Sequence, residues 1–347
     1  MNNLLDMKID NAIEEITGAG FKKFRSSQVL DWVYKKKVFD FSHMSNISKN
    51  DAVRLTDNFS IDIPTIADTL ESSDGTRKYL LELKDGNMVE SVLMEYSYGF
   101  SICISSQAGC RMNCSFCASG KDGLARNLTP GEMTGQILAV SQHSGKDIAR
   151  VVVMGTGEPF DNYDNFINFI EITNHRDGLD IGQRRITVST CGIVPKIYDF
   201  ADYGSQVNLA VSLHGTDNKT RSASMPVNKK YPIEELMKAC RYYIKKTNRR
   251  LSFEYALIPG VNDSKDKASE LAGLLKGLLC YVNIIPVNRI DGVTYRGDPK
   301  LNASRFYDIL GKHGIHVTVR RELGTDIKAA CGQLRRSHAD EVQHRNR

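Results

Sequence analysis

No apolar run in this chain approaches the roughly 18 residues that a membrane-spanning helix needs, so nothing in it reads as a membrane span. A secretory pattern is missing too, because MNNLLDMKIDNAIEEI is too acidic, and its apolar run too short, for a signal peptide. With no such signal, the eight cysteines point to a reducing compartment, and a cytoplasmic protein is expected. The GxGxxG turn that leads directly into a dinucleotide-binding helix is absent. So is the second cysteine pair that a tetrahedral zinc site usually needs. The net charge of +5 is mild, and it permits an RNA partner without requiring one.

What the chain does have is one cysteine triplet. Cys110, Cys114 and Cys117 stand as C-R-M-N-C-S-F-C, a CxxxCxxC spacing. Three thiolates this close in a reducing compartment make a metal or cluster site rather than a disulfide framework. A cubane [4Fe-4S] cluster held by three cysteines keeps one iron for a ligand that is not protein, unlike the usual four-cysteine site. The spacing resembles that of the radical S-adenosylmethionine (SAM) superfamily, in which SAM chelates the open iron through its amino and carboxylate groups. The competing readings are a three-ligand zinc site and accidental clustering.

Two regions are visible. At 347 residues and 41% hydrophobic, the chain can bury one barrel-sized core and a small one. Residues 1–85 read as short helices rich in Lys, Asp and Asn, an expected accessory domain that carries the only tryptophan, Trp32. Val29, Leu30, Trp32 and Val33 can share an apolar helical face. Lys35, Lys36 and Lys37 follow it, either as a solvated helix end favoured by the dipole or, with Lys22, Lys23 and Arg25, as a phosphate-facing patch. From about residue 86 to 335 strand and helix alternate. Apolar runs at FSICISS, ARVVVMG, RRITVST, QVNLAVSLH, LSFEYALIP and CYVNIIPVN, with IHVTVRR following, are separated by amphipathic segments such as MTGQILAVSQH and PIEELMKACRYYIKK. Thr129-Pro130-Gly131-Glu132 makes a good helix start: threonine cap, proline first, glutamate three residues on. Such alternation implies an α/β fold with a parallel sheet and right-handed crossovers. About six units fall short of the eight of a full barrel, so a partial, open (β/α)6 barrel is expected, followed by a polar tail at 336–347.

The unusual residues collect at the carboxyl ends of the expected strands, where parallel α/β sheets place their sites. The cysteine triplet follows the first strand, Gly155-Thr156-Gly157-Glu158-Pro159 the second and Ser189-Thr190 the third. Ser212 and His214 close the fourth, Pro259-Gly260 the fifth and Asn288 the sixth. The glycines of GTGEP would let a ligand approach the backbone, and the Glu158 carboxylate suits an ammonium group such as the amino end of SAM. Phe116 could shield a cluster, pack on an adenine or simply fill space. Cys191, Cys240 and Cys280 read as small buried hydrophobes. Cys331, in DIKAACGQL, is either such a hydrophobe or a chemical group. Cys103 is core or a redox partner, and Glu90 is by default an exposed strand glutamate.

SSQAGCRMNCSFCASGKDGLARNLTPGE, VVVMGTGEP, ITVSTCGIVP, VSLHGTDNKTR, IPGVND and DIKAACGQL together resemble the RlmN/Cfr family of radical-SAM RNA methyltransferases. FRSSQVLDWVYKKKVFDFSHMSNIS extends the resemblance into the accessory domain, and the likeness is closer to the RlmN branch. Two positions vary from the commonest forms: Thr156, where methionine or isoleucine is frequent, and Ser119, where threonine is frequent. The resemblance implies methylation at C2 of adenosine 2503 in 23S rRNA, and of adenosine 37 in tRNA, with two SAM molecules per turnover. It implies that Cys331 receives the methyl group by ordinary displacement. A 5′-deoxyadenosyl radical from a second SAM then takes hydrogen from the S-methyl group, and the carbon radical adds to the base. Glu90 matches the family's proton acceptor. Cys103 matches the resolving thiol, which attacks the Cys331 sulfur and releases methylated RNA with a disulfide that a reductant must reopen. By position, Gly157, Glu158, Ser189, Ser212, Leu213, His214 and Asn288 match SAM contacts.

The implied partners are 23S rRNA and tRNA, with a flavodoxin- or ferredoxin-type reductant, and a monomer is expected. Arg320, Arg321, Arg335 and Arg336 join the lysines as candidate phosphate contacts, helping to offset base unstacking of a few kcal/mol. His338 and His344, in the polar tail, carry no assigned role. Three other readings stand beside this one. They are Cfr-like methylation at C8, a radical activase acting on a protein glycine, and a non-catalytic RNA-binding protein with a structural metal.

Overall fold

Apolar residues recurring at helical spacing make helices of the first sixty positions. The computed structural model describes residues 2–286 and 299–320, together with Leu323, Gly324, Asp326 and Ile327. After a two-residue strand β1 (Asn2–Asn3), helix α1 (Ile9–Gly18) buries Ile9, Ala12 and Ile16. Helix α2 (Lys23–Tyr34) buries Val29, Leu30 and Val33, and α3 (Lys49–Asn58) buries Ala52 and Leu55 behind a Ser48 cap. The short β2 (Phe59–Ser60) pairs in parallel with β1. These faces close one core with Leu4, Leu5, Phe21 and Phe59. Trp32 sits at its edge, donating its indole N–H to Asn46 Oδ1 at 2.6 Å, with the Lys36 ammonium 3.8 Å from the ring centroid.

Helix gives way to strand at Phe59, well short of residue 85. Strands β3 (Thr65–Glu71), β4 (Arg77–Glu82), β5 (Met88–Tyr96) and β6 (Gly99–Ile104) run as an antiparallel meander. A small antiparallel ladder, β7 (Gln107–Gly109) with β8 (Leu124–Asn127), leads to helix α4 (Pro130–Ser144). Strand β9 (Ile148–Val153) then adds to β6 in parallel, and helix α5 (Tyr163–Asn174) follows. The α4 start is the one the sequence implies, with both hydrogen bonds of the Thr129–Glu132 capping box formed. Arg126 grips the same Glu132 with two 2.7 Å bonds and Asp85 with one of 2.6 Å.

These elements belong to one compact unit, formed by residues up to Cys110, Leu124–Ile186 and the stretch from Leu323. Arg111–Gly123 and the described residues between Thr187 and Arg320 form a second. In the second, β10 (Ile186–Thr190), α6 (Val194–Tyr203), β11 (Asn208–Ser212), α7 (Asn218–Ser224) and α8 (Ile233–Thr247) come first. They are followed by β12 (Leu251–Leu257), α9 (Lys265–Leu275), β13 (Cys280–Pro286), α10 (Pro299–Lys312) and β14 (His316–Val319). The strands β10 to β14 lie side by side in sequence order, all parallel. All seven residues of β12 are buried, as expected of a central parallel strand covered on both faces. The α/β class with a run of parallel strands and intervening helices is the one the sequence implies. The antiparallel β3–β5 extension is an addition to it.

Candidate active site

In the parallel sheet of the second unit, the two faces differ in chemistry. One face carries Val188, Leu209, Val211, Phe253, Tyr255, Val282 and Ile284, all buried. The other carries a polar row in strict register: Ser212 opposite Glu254, Glu254 opposite Asn283 and Asn283 opposite Thr318. Asn283 Nδ2 donates to Glu254 Oε2 at 2.8 Å, Ser252 Oγ donates to Glu254 Oε1 at 2.9 Å and Thr318 Oγ1 donates to Asn283 Oδ1 at 2.9 Å. Burial pushes the Glu254 pKa up against these bonds. Ser189 and Ser212 share this face, their hydroxyls 3.4 Å apart. A polar face on an otherwise apolar parallel sheet is chemically suited to hold a ligand.

Leu213 and His214 extend that rim. The Leu213 amide donates to Glu254 O at 3.0 Å. His214 has a left-handed backbone, φ 50°, and is held by Asn262 Nδ2 on its carbonyl at 2.9 Å. Its Nδ1 accepts the Ala256 amide at 2.9 Å, which assigns the proton to Nε2. Burial, and then the nearby Arg221 charge, push His214 down to about 3. The imidazole is therefore neutral at physiological pH. Because its folded pKa lies below its ordinary value, its contribution to stability is complete above about pH 6.5 and is lost as pH falls toward 3. His214→Asn, which tolerates the same backbone and keeps an acceptor, should flatten stability across that window. Denaturation at pH 7 and pH 4 checks this, and equal acid losses in both proteins would contradict it.

The cysteine loop belongs to the same unit from Arg111 on. Its local fold is a turn in which the Cys117 amide bonds Cys114 O at 3.0 Å. Asn113 adopts φ 49°, and Gly120 lies so close that a Cβ would stand 3.0 Å from Asn113 Cα. Ser115 N–H bonds Ser224 O at the end of α7 at 2.9 Å, and Phe116 packs edge-on to His214 with centroids 4.8 Å apart. Cys110 is buried, Cys114 and Cys117 are half-buried, and no disulfide joins the described cysteines. Among the described residues no three ligating side chains converge as on a single metal ion. A cubane distributes its thiolates over separate irons, so three reduced cysteines on one short loop fit a [4Fe-4S] cluster by donor chemistry.

In the first unit, the glycines of the GTGEP turn make room for the chain itself. A Cβ on Gly155 would stand 2.7 Å from Ile104 O, and one on Gly157, at φ 110°, 2.6 Å from Gln107 Cβ. The turn and the 104–107 segment are interlocked. Gly155 N–H bonds Ile104 O at 3.0 Å, Ser106 N–H bonds Thr156 O at 2.9 Å and Glu158 N–H bonds Gln107 Oε1 at 2.8 Å. The buried Glu158 carboxylate accepts Phe160 N–H at 3.0 Å. Gly157→Ala adds both a clash and left-handed strain, and should cost on the order of 3 kcal/mol. Chemical denaturation measures it, and a loss under about 1 kcal/mol would show that the turn yields.

Glu90 and Cys103 also come together here. In the β5–β6 register Val92 faces Cys103, so Glu90 is the diagonal neighbour of Cys103 on the same sheet face. Such diagonal pairs lie roughly 7–8 Å apart. Cys103 is buried, Glu90 is half-buried, and one of its carboxyl oxygens is shielded from solvent. Gln136 of α4 braces both strands from the opposite side: its Oε1 accepts Ser91 Oγ–H and Ser105 N–H, and its amide nitrogen Nε2 donates to Ser105 O.

Cys331 and Asn288 lie outside the described residues, as do Arg321, Arg335, Arg336, His338 and His344. Cys191, Cys240 and Cys280 are buried, as expected, and burial pushes the Cys240 thiol up to about 12. The basic patch is smaller than its residue count. Arg25 is tied to Asp51, Gln28 and Asn46 O, Lys37 pairs with Asp147 at 3.0 Å and Lys36 with Asp31 at 3.0 Å. Lys22, Lys23 and Lys35 are exposed. Sequence reasoning missed Glu254, Asn283, Gln136 and Arg221. LSFEYALIP does place a carboxylate inside an apolar strand, and that signal could have marked Glu254.

A cysteine loop fit for a cluster, on an α/β sheet with a polar ligand face, defines a radical-SAM protein. Residues 104–272 match the Radical SAM superfamily, and residues 2–61 match the ribosomal RNA large subunit methyltransferase N-terminal domain. The chain is 50% identical over 339 residues to a protein of Clostridium novyi (strain NT) named probable dual-specificity RNA methyltransferase RlmN, covering 97% of this chain and 99% of that one. A Clostridium beijerinckii protein of the same name is 52% identical over 97% of this chain and 96% of its own. The crystal structure of a radical SAM methyltransferase from Sphaerobacter thermophilus superposes with a TM-score of 0.91 at 41% identity, covering 96% of this chain and 99% of that one. The chain belongs to the RlmN family of radical-SAM RNA methyltransferases, whose cofactors are a [4Fe-4S] cluster and SAM.

Proposed function

We propose that this enzyme methylates C2 of adenosine 2503 in 23S rRNA and of adenosine 37 in tRNA, passing the methyl group through Cys331. The observation that carries the reading is the placement of Glu90 and Cys103 as same-face neighbours on β5 and β6, the strand that runs into the cysteine loop. Cys110, Cys114 and Cys117 would hold the cluster. Gly157, Glu158, Ser189, Ser212, Leu213, His214 and Asn288 would position SAM. Cluster-bound SAM, once reductively cleaved, supplies a radical able to take hydrogen from an unactivated methyl group.

The protein's own groups do the rest. The Cys331 thiolate attacks the methyl group of one SAM, releasing S-adenosylhomocysteine, and holds the methyl as a thioether. After hydrogen abstraction, the sulfur-bound carbon adds at C2, a position with no lone pair to attack an ordinary methyl donor. Glu90 takes the C2 proton, and the one electron left over on the adduct would return to the cluster, which gave up an electron for SAM cleavage, leaving a closed-shell thioether between the base and Cys331. Cys103 then attacks the Cys331 sulfur, the carbon–sulfur bond breaks, the released carbon takes a proton to become methyl, and a disulfide is left. A flavodoxin- or ferredoxin-type protein is the proposed reductant, and the enzyme is read as a cytoplasmic monomer. Lys22, Lys23, Lys35 and Arg320 are the described cations offered to RNA phosphates.

Anaerobic turnover of the reconstituted enzyme on a 23S rRNA fragment and on tRNA, followed by nucleoside mass spectrometry, tests this. 2-Methyladenosine in both RNAs is expected. 8-Methyladenosine would replace the regiochemistry, and no methylated base would remove RNA methyl transfer.

A further inference from the structure

Arg221 is the bulkiest fully buried side chain described, and no established role of the site uses it. It lies on α7 and reaches under the rim of the sheet. Its Nη2 donates to Cys191 O at 2.6 Å and Ser212 O at 3.2 Å, Nε donates to Leu213 O at 3.1 Å and Nη1 donates to Asn228 Oδ1 at 2.9 Å. All four acceptors are neutral. Among the described residues no carboxylate pairs with it. A buried cation without a counter-charge is costly, so the fold retains it against a penalty. Space is kept for it as well: a Cβ on Gly192 would stand 3.1 Å from Nη2, and one on Gly215 would stand 3.1 Å from Arg221 Cα.

Within electrostatic reach of the guanidinium are the thiols of Cys191, Cys114 and Cys240 and the neutral imidazole of His214. Of these four groups only Cys114 is read as a cluster ligand, and that role requires a thiolate. The helix that carries Arg221 also clasps the neighbour of Cys114, through the bond from Ser115 N–H to Ser224 O three residues on. Cation and cluster loop therefore form one assembly, buried on the cation's side.

We infer that Arg221 is a positioning residue whose uncompensated buried charge lies beside the Cys114 thiolate, and that it raises the reduction potential of the bound cluster. This rests on the reading of Cys114 as a cluster ligand. A fixed positive charge in a low-dielectric surrounding favours the form carrying the extra electron. The hydrogen bonds of Arg221 hold the Cys191, Ser212 and Leu213 carbonyls in place. Its charge, separately, acts on the cluster.

The two contributions are separable in the reconstituted holoenzyme. Arg221→Met removes charge and bonds, Arg221→Lys keeps the charge with fewer bonds, and Asn228→Asp keeps the arginine but sets a carboxylate against it. Iron per chain, thermal unfolding of the cluster-free protein and an EPR-monitored redox titration without SAM are read for each. The expected result is a lower potential in Arg221→Met and Asn228→Asp, by about tenfold in the reduced-to-oxidised ratio, or about 59 mV for one electron. Arg221→Lys should stay near the parent potential while melting lower. If Arg221→Met fails to fold, Asn228→Asp against the parent decides the matter. A parent-like potential in a fully loaded Asn228→Asp, or equal shifts in the Lys and Met variants, overturns the inference. A Cys114→Ala protein that still takes up a full complement of iron would instead overturn the ligand reading on which it stands.

Discussion

Alanine at Cys114 is expected to give a folded, colourless protein with RNA methylation reduced to background. The fold should survive because the side chain is half-buried on a loop, where a small truncation removes little packing. Iron binding should not, because a three-cysteine site has no ligand to spare: two thiolates leave a second iron open, and the cubane loses its anchor. Radical chemistry has no slower route through the protein's own groups, so methylation should fall by more than about a thousandfold, roughly 4 kcal/mol in activation terms. Iron analysis, visible absorption and nucleoside mass spectrometry on one preparation check this. Retained colour with lost activity would move Cys114 out of the ligand set.

The second large effect separates two cysteines that look alike in composition. With Cys331→Ala there is nowhere to park the methyl group, so neither protein nor RNA should acquire label from methyl-labelled SAM. With Cys103→Ala the early steps proceed and the last one fails. The RNA should stay covalently attached to Cys331, visible as a band that survives denaturation and disappears on nuclease digestion. Because Cys103 packs among β-strand side chains, alanine there costs a small cavity, and the variant should fold. A Cys103→Ala enzyme that turns over many times would show that another thiol, or added reductant, resolves the adduct. A radical activase would ignore both substitutions.

These expectations also show which parts of the molecule were written plainly in the chain. The runs that became β6 and β9 to β13 were legible because β-branched and apolar residues cluster there between polar helices. The start of α4 was legible because Thr129, Pro130 and Glu132 satisfy its first amides locally. Strands β3 and β4 were not, since TIADTLE and RKYLLE mix charge with apolar residues at no fixed period, and only pairing with β5 decides their state. The cysteine triplet declared its chemistry by spacing alone. Arg221 could not, because NKTRSAS reads as a solvated turn of helix, and its burial arises from the way the chain around Cys191, Leu213 and Asn228 folds over it. At the GTGEP glycines the need for backbone freedom was visible in sequence, whereas the chain atoms packed against them, Ile104 O and Gln107 Cβ, were not.

The interlock between that turn and residues 104–107 bears on damage and repair. Iron–sulfur cofactors are stripped by oxygen, and many loops that depend on one collapse when it leaves. Here the entrance to the loop is clamped from outside the cluster, by Gly155 and Thr156 on Ile104 and Ser106, by Glu158 on Gln107, and by the Asn162 amide on Ser106 O at 2.9 Å. Oxidative loss of the cofactor would then leave the doorway standing. Reassembly would then start from a loop whose entrance is already held, with iron, sulfide and electrons supplied to a segment that need not refold first.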